Sequence, residues 1–289
     1  MIAIRKIELL LLIGVLAVTP AAIPSSSEAV AEDTAGHNSL FAQSAAQMLQ
    51  REFSDKQVSF LLLDVRTGAL LTSRWENPDQ PIPLGSLVKP FIALVYGEEH
   101  RFHYPTHLCR GDATGCWLPH GHGEIGVTTA IADSCNSYFR MLTADMTSAD
   151  VIPAAQRLGL DLPNRELSGA DLIGVGNRWL ISPLHMAHAY LELNRRRDQS
   201  GAREVIAGMA QSARQGTGLE VDRALKHPIA LVKTGTAACT HREHAPGDGF
   251  VVALVPAEQP EFLLMVRVHG VPGAKAAVTA GRMLSRIEE

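Results

Sequence analysis

The sequence predicts an α+β fold: a five-stranded antiparallel sheet flanked by N- and C-terminal helices, with an all-helical lobe inserted between its strands. Three observations carry this. β-rich segments gather at both chain ends, at 58–65 and 69–75 and again at 229–236, 249–255 and 261–269. Helical periodicity returns repeatedly between them, and amphipathic stretches at 40–53 and 274–287 bracket the strands. Strands from both ends join one sheet when the middle is looped out as a separate lobe. The sheet lobe then takes about 38–80 and 225–289, and the helical lobe about 86–220.

Each element has a local reason. Leu40, Phe41, Ala45, Met48, Leu49 and Phe53 fall at helical spacing. Val58–Val65 is β-rich, Thr67-Gly68 marks a tight turn, and 69–75 returns as a hairpin partner. A Pro-rich turn, 81–85, precedes a helix over 86–99. The stretch 100–124 is rich in Gly, Pro, His and Cys and shows no period. Helices follow over 127–132, 148–160, 182–195 and 205–213, the third with Ser182 as cap and Pro183 in its first turn. Pro256–Pro260 turns the last two strands into a pair.

With 289 residues the chain suffices for one large domain or two small ones. Apolar residues make up 46% and aromatics only 5%, so the core is aliphatic. A net charge of −4 gives no basis for a nucleic-acid partner. At the N-terminus, Arg5 and Lys6 precede an apolar run, Leu9–Val18, and Ala29-Val30-Ala31 forms an A-x-A cleavage site. Residues 1–31 therefore read as a signal peptide, with an uncleaved anchor as the alternative, and 32–289 as the exported protein. Export places the chain in the periplasm or another extracytoplasmic space, where its four cysteines could form disulfides.

Three short motifs carry chemistry. Ser86-Leu87-Val88-Lys89 places a hydroxyl and an amine one turn apart on one helix face. A desolvated lysine amine can take the serine proton. Ser134-Cys135-Asn136 follows, and then Lys233-Thr234-Gly235-Thr236 behind the apolar run 229–232. Each motif alone is common; all three in this order are not. In each case the bland reading is a helix cap or a solvated charge.

The order S-x-x-K, S-x-N, K-T-G resembles the transpeptidase domain of penicillin-binding proteins. Other segments extend the likeness to class B, elongation-type members: Leu62–Gly68, Gly85–Phe91, Gly121-His122-Gly123, Ser134–Phe139, Ile173–Gly176 and Ile181–Ala187. Class B members usually carry a membrane anchor and a pedestal ahead of this domain, whereas here the likeness begins soon after the leader. The resemblance implies a β-lactamase/transpeptidase-like fold and a peptidoglycan D,D-transpeptidase that forms a serine acyl-enzyme on D-Ala-D-Ala stem peptides. Ser86 is then the nucleophile and Lys89 its base. Ser134 relays the proton, Asn136 holds Lys89 and the substrate amide, and Lys233 supplies positive potential. Thr234 and Thr236 bind the substrate carboxylate, and Gly235 leaves the strand clear for substrate. The backbone N–H groups of Ser86 and Thr236 form the oxyanion hole. The implied partners are the stem peptide, β-lactam antibiotics and other cell-wall synthesis proteins. A D,D-carboxypeptidase, a serine β-lactamase and a non-catalytic penicillin-binding sensor are the alternatives. Glu166–Ala170, the nearest acidic stretch, does not match the deacylation segment of class A β-lactamases.

Cys109, Cys116, His122 and Cys135 occur as C-x6-C-x5-H-x12-C, a donor set that suits a structural tetrahedral zinc. Elongation-type relatives are similar in carrying a metal-binding set that ends inside S-x-N. A Cys109–Cys116 disulfide is the competing reading. His120 and Asp112 are substitute ligands, and Cys239 reads as a packed free thiol. His185 and His188 form a weak pair on a helix, and His241 and His244 are solvated loop residues.

Overall fold

The computed structural model describes residues 40–227, 230–239, 244–245 and 247–289. The leader over 1–31, the strand start at Ile229 and His241 lie outside the described residues. Among the described residues, no helix is long and apolar enough to cross a membrane.

Residues 41–52 form α1. β1 (Val58–Asp64) and β2 (Leu70–Arg74) make the expected hairpin. Its turn is tied by the Asp64 carboxylate, which accepts from the Thr67 N–H and hydroxyl at 2.6 Å each. β7 (Leu231–Ala237), β8 (Asp248–Val255) and β9 (Phe262–Val268) come from the other chain end. The five strands form one antiparallel sheet in the order β2-β1-β9-β8-β7. β1 thus lies beside β9, with Leu62 opposite Leu264.

Alternation along the strands divides the core. Phe60, Leu62, Val251, Ala253, Leu264 and Val266 face α1 and α10 (Gly273–Ile287). Leu61, Leu63, Val252, Leu254, Leu263 and Met265 face the helical lobe. Both faces are covered, which is why β8 and β9 read as continuous apolar runs rather than alternating ones.

The lobe holds α2 (Lys89–Glu99), α3 (Val127–Ala132), α4 (Asn136–Leu142), α5 (Ser148–Leu158) and α6 (Gly169–Leu172). It continues with α7 (Pro183–Arg195), α8 (Ala202–Gln215) and α9 (Leu219–Ala224). Ser182 caps α7 as expected, accepting from the His185 N–H at 3.2 Å. The lobe also contains two short ribbons, β3 (Ile82–Pro83) with β6 (Leu180–Ile181) and β4 (His107–Cys109) with β5 (Gly123–Ile125). The second orders part of the 100–124 stretch.

Candidate active site

Ser86 lies in a 3-10 turn, Gly85–Val88, that runs into α2. The Lys89 N–H closes this turn onto the Ser86 carbonyl. Side chains three apart eclipse in such a turn, so Ser86 and Lys89 project together. Gly85 has φ +58°, and a Cβ there would run into the Thr236 carbonyl. The turn therefore packs directly against β7. Tyr190 on α7 anchors it from below, its buried hydroxyl donating to the Leu87 carbonyl at 2.8 Å.

Ser86 is half-buried and opens on a cleft of about 550 Å³, lined also by Ser134, Asn136, Thr217, Thr234 and Thr236. A larger concavity, about 720 Å³, lies toward β1, β2 and β9 and holds none of the motif residues. Chemistry rather than size assigns the site.

Both lysines are fully buried, at 0% exposure. Lys89 Nζ donates to the Ser134 carbonyl at 2.7 Å and to Asn136 Oδ1 at 2.6 Å. Burial lowers its pKa from 10.5 to about 7, against the raising influence of Cys135 and Cys116. Lys233 Nζ donates to Ser134 Oγ at 2.9 Å and to the Thr234 carbonyl at 2.7 Å. Burial, and then the charge of Lys89, hold it well below the usual lysine range. The Ser134 hydroxyl lies closer to Lys233 than to Lys89, whose Nζ is at 3.5 Å. It bridges the two amines. Ser134 has φ +52°, a costly backbone for a non-glycine residue, held here by the groups around it.

Gly235 lines the cleft and also meets a packing demand. A Cβ there would sit 2.5 Å from the Leu84 carbonyl and 3.0 Å from Leu87 Cγ. The glycine lets the nucleophile turn pack on the strand.

Sequence reasoning missed two cleft residues. Thr217 accepts from the Thr234 hydroxyl at 2.7 Å, and Asn177 Oδ1 accepts from the Ala238 N–H at 3.2 Å. Their signals were present, a hydroxyl between two glycines and an asparagine just after G-x-G, but neither has a fixed distance in sequence from K-T-G. Glu166 is exposed and accepts from the Ser148 N–H at 3.4 Å, outside the cleft lining. His185 pairs with Asp161 at 3.0 Å, and His244 is exposed.

Cys109, Cys116, His122 and Cys135 converge behind the cleft, with one donor atom from each within 4.8 Å of the others. His122 Nδ1 lies 3.5 Å from Cys109 Sγ and 3.5 Å from Cys116 Sγ, and the Cys116 and Cys135 sulfurs are 3.7 Å apart. Zn–S bonds of about 2.3 Å and Zn–N bonds of about 2.0 Å give tetrahedral edges of roughly 3.5–3.8 Å, so the four residues fit that ion. Burial pushes the Cys109 thiol up, but hydrogen bonds from Gly111 and His122 outweigh it and bring the thiol down to about 6. A thiolate is the ligating form. The three thiols are free and buried, with no disulfide between them. His120 and Asp112 are exposed and stand outside the cluster. Cys135 also caps α4, accepting from the Tyr138 N–H at 3.4 Å, which ties the cluster to S-x-N.

A sheet-edge strand, a serine turn packed on it and two buried amines meet at this one cleft. The family model of the penicillin-binding-protein transpeptidase domain matches residues 58–287, so the chain belongs to that family. Among curated proteins, no sequence matches it. Helicobacter pylori PBP2, solved with MreC, superposes with a TM-score of 0.70 at 18% identity, over 86% of this chain and 62% of that one. This chain thus spans less than two thirds of that protein. Pseudomonas aeruginosa PBP2, solved with WCK 5153, gives 0.70 at 16% identity over 86% and 73%. The transpeptidase domain of Burkholderia pseudomallei penicillin-binding protein 3 gives 0.65 at 18% over 88% and 92%. At these identities the likeness is one of fold.

Proposed function

We propose that this chain is an elongation-type peptidoglycan D,D-transpeptidase that works through an acyl-enzyme on Ser86. The supporting observation is the convergence of two buried lysine amines on Ser134, in the cleft that Ser86 opens on.

A neutral Lys89 amine has two N–H donors, matched by the Ser134 carbonyl and Asn136 Oδ1. Its lone pair is left for the Ser86 hydroxyl proton. Ser86 Oγ attacks the carbonyl between the two terminal D-alanines. The backbone N–H groups of Ser86 and Thr236 hold the oxyanion, worth about 3–4 kcal/mol per donor. Ser134, between the amines, passes a proton to the departing D-Ala amine. Lys233, Thr234 and Thr236 receive the substrate carboxylate. An acceptor amine then takes the acyl group.

Acyl-enzyme lifetime separates this reading from a β-lactamase. Among the described residues, no carboxylate lines the cleft to activate a deacylating water. Cys109, Cys116, His122 and Cys135 would hold a structural zinc, closed to substrate, that braces S-x-N. The MreC complex of the Helicobacter pylori relative supports a place among extracytoplasmic cell-wall synthesis proteins.

Fluorescent penicillin tests the reading. The wild type acquires a stable adduct that maps to Ser86, and Ser86→Ala acquires none. An adduct that persists in Ser86→Ala, or folded wild type that never labels, overturns it. Rapid sustained hydrolysis of a chromogenic cephalosporin assigns the site to a β-lactamase instead.

A further inference from the structure

Three strand ends meet at the cleft end of the sheet. The register pairs Ala237 with Asp248 and Gly249 with Val268. Cys239, Asp248 and His269 therefore fall together, although 30 positions separate the first from the last. One donor atom from each lies within 4.8 Å of the other two. Asp248 is buried, and its Oδ2 lies 2.9 Å from His269 Nδ1. Its Oδ1 accepts from the Gly270 N–H at 3.1 Å. Cys239 and His269 are partly buried, and Cys239 is a free thiol, as the sequence suggested. A hydrogen-bonded Asp248–His269 pair accounts for two of the three residues, and Cys239 stands beside them within electrostatic reach of Arg267.

We propose that Cys239, Asp248 and His269 form a second metal site, for a transition-metal ion of the Zn²⁺ class. Thiolate, imidazole and carboxylate together select such an ion over Mg²⁺ or Ca²⁺, which take oxygen donors. Two anionic donors offset its two charges. Three protein ligands leave one position for water or an exogenous ligand. Bonds of about 2.0 Å to N and O and 2.3 Å to S set donor separations of roughly 3.3–3.5 Å. The Cys239 sulfur thus closes on the other two donors by no more than about 1.3 Å, while the hydrogen-bonded Asp248–His269 pair, 2.9 Å apart, opens slightly. The site differs from the four-residue cluster in chain segment, donor set and openness. It also has a structural consequence. Ala237 and Ala238 line the cleft immediately before Cys239, so an ion at this corner fixes the rim that follows Lys233-Thr234-Gly235-Thr236.

The test counts metal. Full-length protein, reduced and stripped, is titrated with Co²⁺ against a chromogenic chelator. The wild type binds one equivalent more per chain than Cys239→Ser, and His269→Gln matches Cys239→Ser. Equal counts in the three proteins overturn the site, whatever the four-residue cluster binds. A second measurement needs no variant. Mass-mapped alkylation of Cys239 in the wild type slows severalfold when Zn²⁺ is added; an unchanged rate overturns the proposal.

Discussion

Replacing Lys89 by methionine should abolish one component of the protein's pH-dependent stability. Burial takes this amine from 10.5 to about 7. At 1.36 kcal/mol per pKa unit, that is ~5 kcal/mol against the charged form. Below pH 7 the folded and unfolded chains both hold the proton. Between pH 7 and 10.5 the unfolded chain holds more of it, so stability rises with pH. Above 10.5 neither holds it and the penalty is gone. From pH 7 to pH 9 the wild type therefore gains about 2 kcal/mol that Lys89→Met does not. For a chain of this size that is ~4–8 °C in melting temperature. Lys233 is present in both proteins, and burial, its leading cause, is common to them. The assay is a pair of melting curves for each protein at the two pH values, read as a difference of differences. This removes the separate effect of leaving Asn136 Oδ1 and the Ser134 carbonyl short of a donor. Parallel shifts in the two proteins would refute a buried, neutral Lys89, and with it the base assigned to Ser86. The wild-type penicillin acylation rate should climb through the same region near pH 7, as the amine loses its proton.

Gly235→Ala should lose both stability and penicillin labelling, because its methyl meets the Leu84 carbonyl at 2.5 Å; overpacking of this kind costs ~1–3 kcal/mol, and an unshifted melt with full labelling would contradict it. Tyr190→Phe removes the donor to the buried Leu87 carbonyl and should cost ~1–3 kcal/mol by denaturant titration, with acylation slowed because the Ser86 turn loses its anchor. Elemental analysis of protein purified without added metal should find zinc that is lost in Cys116→Ser; wild type that holds no metal and a Cys109–Cys116 cross-link would reverse that assignment.

Some misses have local causes. α4 escaped notice because its cap is Cys135, a residue outside the usual set of caps. The β4–β5 ribbon has strands of three residues each, too short for any period to show. Thr217 is invisible for another reason. Its partner Thr234 lies across a loop and a helix, and no spacing rule links them.

The chain's order alone determined what is local. Ser86 and Lys89 share a face because three residues make one turn. The hairpin of β1 and β2 follows from a short turn between β-rich runs. The apolar continuity of β8 and β9 announced strands covered on both sides. Tertiary structure decided the rest: that β1 pairs with β9, that the Ser134 hydroxyl lies nearer Lys233 than Lys89, and that Gly235 answers to Leu84. Those contacts join residues tens to hundreds of positions apart. Closing such loops is nearly independent of the sequence within them, so only the packed core selects which ends meet.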